Sequence, residues 1–274
     1  MLRNLPSIPV LFILFFICPL FSQETNQDAW YLEQDLGGEY NPLGLQLDTK
    51  LYYEFALQKT DNFLFKTSKV NAGLIDRISP SYECIGVTGY VEPIAFFDFT
   101  FTGFYQYSYS ALGYGFLSEN SSDALNFAPP AQAGTDAQGW WIIAAPRLKM
   151  QLGNFIAADT FSYNYLDKLN YSGYYYESFS DAIVNASDYY WINDGYLLYQ
   201  VTKTITVGLN DYNLFVPDTG YVSQRISAVF IFEPDLKPFS DFYIFCSAGT
   251  LLIDHYYAGK LCLIAAAGYK LMVF

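Results

Sequence analysis

The sequence predicts an all-β chain whose strands close into an antiparallel, up-and-down transmembrane β-barrel. Of its 274 residues, 52% are hydrophobic and only 15% are charged, against about 25% charged residues in a soluble domain. Beyond the N-terminal leader, no apolar run approaches the ~20 residues of a membrane-spanning helix. The apolar residues alternate with polar ones instead, as in barrel strands, which pair every backbone polar group within the protein.

Residues 1–22 read as a secretory signal. Arg3 precedes an almost wholly apolar stretch over residues 5–21, and the chain turns polar at Ser22. A retained membrane helix and, because of Cys18, a lipoprotein signal are the alternatives. Residues 23–274 contain no linker or charge run, so we predict one barrel domain there.

The alternation is clearest in residues 43–57. Odd positions are nearly all apolar, whereas the charged Asp48, Lys50 and Glu54 occupy even positions. Soluble strands usually span about five or six residues, so an alternation of this length indicates a tilted barrel strand. Comparable segments are 95–109, 140–152, 221–233 and 259–274, and weaker ones are 63–76, 82–91, 155–166, 189–201, 205–215 and 241–252.

These eleven segments need one more strand to give the even number of bacterial barrels. Residues 29–37 are the only candidate, so we predict twelve strands, with ten as the alternative. Two residues oppose the pattern. Pro146 interrupts a strand, where we expect a bulge, and Asp159 falls on a lipid-facing position.

Aromatic residues gather near strand ends and predict an interfacial girdle; the alternative is a carbohydrate-binding platform of stacked rings. They are Tyr105, Tyr107, Tyr109, Trp140, Trp141, Tyr163, Tyr165, Tyr189, Tyr190 and Trp191.

The polar faces of the strands predict a charged lumen. Twelve strands lie between filled eight-stranded and open sixteen-stranded barrels, so the charges either select solutes in an open pore or pair and fill it. The predicted lumen residues are Asp48, Lys50, Glu54, Asp98, Arg147, Lys149, Arg225, Lys260 and Lys270. The long connections predict an acidic mouth that favours cations or bridges divalent ions and lipid headgroups; its acidic residues are Glu119, Asp123, Asp136, Glu177, Asp181 and Asp188.

Few residues suggest chemistry. The sole histidine, His255, has no suitably placed nucleophile, so we predict no catalytic residues, no metal site and no cofactor. By strand parity Cys262 faces the lumen and Cys246 the lipid, which predicts no disulfide between them. The formal net charge of −13 argues against a nucleic-acid partner.

The chain ends in GYKLMVF, which resembles the terminal assembly signal of bacterial outer-membrane β-barrels. Gly268, Leu271, Val273 and Phe274 match that signal, and Met272 stands where tyrosine is frequent. The resemblance implies a bacterial outer-membrane location, with outer-membrane lipids and the barrel assembly machinery as partners. The alternation of short and long connections predicts that the long ones, 110–139 and 167–188, lie at the cell surface.

Three functions follow as expectations. A narrow, porin-like channel for small hydrophilic solutes comes first. A surface-exposed adhesin or structural barrel without transport is the alternative, and a barrel hydrolase is the third.

Overall fold

The computed structural model describes residues 28–41, 43–58, 62, 64–109, 118–119, 136–177, 179–236, 239–254 and 257–273. No helix in this part of the chain has the length and apolarity needed to cross a bilayer. The strands are β1 (Ala29–Tyr40), β2 (Gly44–Ala56), β3 (Lys69–Ile78), β4 (Tyr82–Ile94), β5 (Phe97–Ser108), β6 (Ser118–Glu119), β7 (Ala137–Leu152), β8 (Phe155–Lys168), β9 (Tyr174–Glu177), β10 (Ala182–Asn185), β11 (Ser187–Gln200), β12 (Ile205–Val216), β13 (Tyr221–Phe232), β14 (Ser240–Ile253) and β15 (Leu261–Met272).

Twelve of these strands form a closed barrel in the order β1-β15-β14-β13-β12-β11-β8-β7-β5-β4-β3-β2, and β10-β9-β6 form a small separate sheet. The barrel closes because β1 pairs with both β2 and β15; Tyr31, for example, lies opposite Tyr52 and Met272. The prediction of twelve strands is confirmed, and β1 is the twelfth strand that residues 29–37 suggested.

Along the barrel strands the outer face is mainly apolar, and the buried charged residues lie on the inner face. On β5, Asp98 and Gln106 are buried inside, whereas Phe101 and Tyr107 are exposed outside. This period of two is what the strand geometry dictates. The exposed outer residues of the other strands include Leu51, Leu74, Ile85, Val87, Ile142, Leu148, Met150, Leu197, Leu209, Ile226, Phe230 and Leu263.

We call the end of the barrel where β1 begins and β15 ends the terminal end, and the opposite end the loop end. Aromatic rings cover the outside near the loop end: the ring centroids of Tyr105 and Trp140 lie 5.1 Å apart. Two residues of the predicted girdle are not in it. Trp141 and Tyr190 are fully buried on the inner face, because their parity along β7 and β11 is opposite to that of Trp140 and Trp191.

Two details of the predicted strands are wrong. β3 begins at Lys69 rather than residue 63, because residues 64–67 form a turn that is fixed by the hydrogen bond from the Ala95 amide to the Leu64 carbonyl (2.8 Å). Pro146 causes no bulge. Pairing between β7 and β8 is interrupted beside it and resumes in the same register, with Ala144 opposite Tyr163 and Arg147 opposite Thr160.

The thiols lie on opposite faces of the last hairpin: Cys246 is exposed outside and Cys262 is buried inside. Their partners across the β14–β15 pair are Ala265 and Gly249. We therefore expect mass spectrometry of non-reduced peptides to find no Cys246–Cys262 bond after oxidation. Detecting that bond would require a different register for this hairpin.

Candidate functional site

The candidate site is the barrel lumen, where charged side chains from neighbouring strands meet. Near the terminal end, the buried Asp98 carboxylate binds two cations of β7: Arg147 Nη2 at 2.8 Å and Lys149 Nζ at 3.1 Å. Lys149 also contacts Glu92 on β4 at 3.0 Å. Three adjacent strands thus share one network, because inward residues on paired strands are direct neighbours.

A second network near the terminal end centres on Glu54 of β2. Its carboxylate lies 3.2 Å from Lys69 Nζ and 3.3 Å from Lys270 Nζ. The Lys270 ammonium also lies 3.9 Å from the ring centroid of Tyr31, within cation–π range. This network links β2 and β3 to β15 across the closure of the barrel.

Strand β1 contributes three more carboxylates to the lumen. Glu33 and Asp35 contact Lys50 of β2, with Asp35 Oδ2 at 3.6 Å from Lys50 Nζ. Nearer the loop end, Glu39 accepts a hydrogen bond from Arg225 Nη1 at 2.9 Å and another from the Cys262 thiol at 3.0 Å.

Arg77 on β3 joins the barrel wall to its contents. Its guanidinium binds Asp48 through two hydrogen bonds, Nε to Oδ1 at 2.9 Å and Nη2 to Oδ2 at 2.7 Å. The same group lies 5.1 Å from the Phe104 ring, 5.4 Å from the Trp141 ring and 4.6 Å from the Phe179 ring. Phe179 does not belong to the wall, so Arg77 also holds a segment that enters the lumen.

That segment is residues 169–186 between β8 and β11, which we call the lumen loop. It contains the β9–β10 hairpin, and the amide of Ala186 donates to the Gly173 carbonyl at 2.9 Å, which closes the base of the hairpin. The loop contributes Tyr175, Ala182 and Val184 to one buried apolar cluster. The wall residues of that cluster are Ile75, Tyr82, Cys84, Phe104, Ala137, Trp141, Leu166, Tyr190, Ile192, Leu214, Val216 and Tyr221.

Polar contacts hold the same loop. The Glu177 carboxylate accepts a hydrogen bond from Gln106 Nε2 at 3.3 Å. The Tyr221 hydroxyl lies 2.9 Å from both the Asp181 carbonyl and a carboxylate oxygen of Asp254. Burial, with the nearby Glu39 carboxylate adding to it, raises the pKa of the Asp181 carboxyl well above its ordinary value and favours its neutral form inside the closed barrel.

The structure places eight of the predicted lumen residues inside the barrel, each within an ion pair: Asp48, Lys50, Glu54, Asp98, Arg147, Lys149, Arg225 and Lys270. Lys260 is not among them. It is exposed at the rim of the loop end, before β15 begins, with its Nζ 4.8 Å from the Tyr257 ring.

The predicted acidic mouth is only partly present. Glu177 is buried because the lumen loop turns inward, and Asp188 is buried on the inner face of β11. Residue 123 and His255 lie outside the described residues, and no group of three or more potential ligands among the described residues could hold a metal ion.

The terminal signal residues occupy the closing strand. Gly268 faces the lumen, where a Cβ would lie 2.1 Å from Asp35 Oδ1 and 2.6 Å from Tyr243 Cε1, so a larger residue would displace these two side chains. Leu271 is buried on β15, and Val273 follows that strand with its amide donating to the Trp30 carbonyl at 2.9 Å. Phe274 lies outside the described residues.

Sequence reasoning missed six charged residues of these networks: Glu33, Asp35, Glu39, Lys69, Arg77 and Glu92. The first three lie on β1, whose alternation is weak around Gly37 and Gly38. Arg77 and Glu92 lay in predicted connections. Strand parity identifies these residues, because each lies on the inward face of its strand once the strand bounds are correct.

Comparisons with known proteins find similarity to solved structures alone, at low sequence identity. No protein-family model and no curated protein matches the chain. Among solved structures it is similar to the NanC porin (9% identity, TM-score 0.43, covering 89% of this chain and 100% of that one). It is also similar to the translocator domain of the autotransporter NalP from Neisseria meningitidis (9%, 0.44, covering 92% and 90%) and to Salmonella typhi OmpF (8%, 0.31, covering 91% and 100%).

Proposed function

We propose that the chain is an integral β-barrel of a bacterial outer membrane. One observation carries this proposal: the barrel exposes apolar side chains outside and encloses ion pairs inside, the reverse of a soluble protein. Such a surface is stable in lipid, where closed barrels satisfy their own backbone. Outer-membrane lipids and, through β15, the barrel assembly machinery are then its partners, and the loop end faces the cell exterior.

Within that barrel we propose a narrow channel for small hydrophilic solutes that the lumen loop closes. Support comes from the terminal half of the lumen, where cations remain in contact with solvent: the Arg147 side chain is 41% exposed and Lys69 is 33% exposed. Support for a movable closure comes from the base of the loop, where Gly173 and Ala186 are hydrogen-bonded. That bond joins the two ends of the hairpin, so its departure would break the pairing with β6 and leave the pairing of β8 with β11 in the wall.

A second candidate, a surface adhesin or structural barrel without transport, is favoured by a different observation. Tyr175 and Val184 of the lumen loop are almost completely buried against the wall. A loop packed in this way stabilises a permanently filled barrel. A barrel hydrolase has no support from the described residues, among which no nucleophile, base and orienting carboxylate are brought together.

Removal of the hairpin distinguishes the two candidates. Deleting residues 174–185 and joining Gly173 to Ala186 should leave the wall intact and increase the swelling rate of proteoliposomes in a pentose severalfold over wild type. The swelling rate in a tetrasaccharide should increase less, because the charged side chains of the lumen still narrow the channel. Lys260→Ala, at the rim of the same end, is the matched control and should swell as wild type does.

Folding of the deletion variant is checked by heat-modifiable migration on gels. A folded variant whose vesicles swell no faster than protein-free vesicles would contradict the channel and support the barrel without transport.

A further inference from the structure

The outer face carries a polar patch within its apolar surface. It consists of Asp159 on β8, Asn193 on β11, Asp211 and Asn213 on β12, and Gln224 on β13. Asn193 Nδ2 donates to Asp159 Oδ1 at 2.7 Å, and Gln224 Nε2 donates to Asp211 Oδ1 at 3.2 Å. Asp159 and Asp211 are both exposed.

The pairing of the strands makes this patch continuous. Gly195 on β11 lies between the two carboxylates, opposite Asp159 on one side and Asp211 on the other. Asn213 on β12 likewise lies between its two cross-strand partners, Asn193 on β11 and Gln224 on β13. Since Gly195 has no side chain, it leaves a notch at the centre of the patch, and Met150, Ala157 and Leu209 line the same depression.

The patch lies inside the lipid-facing region rather than at its edge. On β11 the outer residues on either side are Trp191 towards the loop end and Leu197 towards the terminal end, and on β12 they are Phe215 and Leu209, all of them exposed. Lipid tails offer no hydrogen-bond partner to the remaining carboxylate and amide atoms.

The same barrel shields another polar residue on its outer face. Gln34 on β1 also points outward, yet it is buried because Thr49 and Tyr269 on the flanking strands hydrogen-bond to it and cover it. Nothing among the described residues covers Asp159 and Asp211 in this way.

We propose that the patch is the interface between two copies of this chain, related by a two-fold axis along the membrane normal that passes near Gly195. This inference rests on the proposed membrane location. The two-fold axis places β8 of each copy against β12 and β13 of the other. The Asp159 carboxylate of each copy then contacts the amides of Asn213 and Gln224 in the other copy, which gives two equivalent sets of contacts. Such self-complementarity is what an isologous interface needs, and the notch at Gly195 lets the backbones approach.

Disulfide trapping in lipid vesicles tests the interface. In a Cys246→Ser background, Asn193→Cys lies beside the axis and should oxidise to a covalent dimer whose yield persists when excess lipid dilutes the protein. The control is Leu51→Cys, which is also exposed on the outer face but on β2, at the opposite side of the barrel; it should give no dimer. Equal yields from the two variants, or no dimer from either, would overturn the proposal.

A charge-free variant provides the second test. Asp159→Leu with Asp211→Leu, added to Asn193→Cys, should lower the dimer yield about tenfold or more, as loss of interfacial hydrogen bonds within a membrane predicts. Heat-modifiable migration confirms that the variant folds. An unchanged yield, or trapping of a different protein in native membranes, would show that a second copy is not the occupant. Insertion of folded monomers into vesicles would leave the proposed barrel function standing while refuting the dimer.

Discussion

Replacing Arg77 with methionine should lower the free energy of unfolding by about 3–5 kcal/mol. Arg77 and Asp48 are both nearly buried, with side chains 12% and 10% exposed. Without the guanidinium, the Asp48 carboxylate loses its hydrogen bonds from Arg77, and its burial prevents water from replacing them. The rings of Phe104, Trp141 and Phe179 also lose the cation that they surround.

The matched control is Arg147→Met. The Arg147 side chain is 41% exposed, and the buried Asp98 keeps Lys149 at 3.1 Å, so we expect a smaller loss, about 1 kcal/mol. A double variant, Asp48→Leu with Arg77→Met, should recover much of the stability, since it leaves no buried charge without its partner. Urea unfolding in lipid vesicles measures all three. Equal losses at Arg77 and Arg147 would contradict the structure, in which Arg77 is the more buried arginine and Asp98 has a second cation in Lys149.

Much of the barrel could be predicted from the sequence because a strand repeats every two residues. Over β2 this period alone places Asp48, Lys50 and Glu54 on the inner face, and the structure agrees. The period does not fix where a strand begins and ends. The predicted third strand stopped at residue 76, whereas β3 runs to Ile78, so Arg77 fell in a connection and its pair with Asp48 was missed.

The lumen loop could not be predicted by periodicity. Its tyrosines and carboxylates are typical of an exposed loop, and only tertiary contacts decide that Tyr175 and Glu177 turn inward. The same limit applies to Trp141 and Tyr190, which composition alone assigns to the girdle. Strand parity, taken residue by residue, separates them from Trp140 and Trp191, which lie on the opposite face of the same strands.

The second large effect concerns Cys84, a native thiol on the inner face of β4. It is fully buried in the cluster that the lumen loop completes with Tyr175 and Val184. A charged, membrane-impermeant thiol reagent reaches it only after the loop leaves the lumen. In a variant with Cys246→Ser and Cys262→Ser, Cys84 is the only remaining thiol of the barrel, and the protein is otherwise unchanged.

The rate at which such a methanethiosulfonate reagent labels Cys84 in folded, vesicle-inserted protein tests most directly whether the loop closes the lumen. We predict labelling at least about 100-fold slower with the loop present than after deletion of residues 174–185, the factor that an opening free energy of roughly 2.8 kcal/mol produces. Equal, rapid labelling of both proteins would contradict the closed lumen.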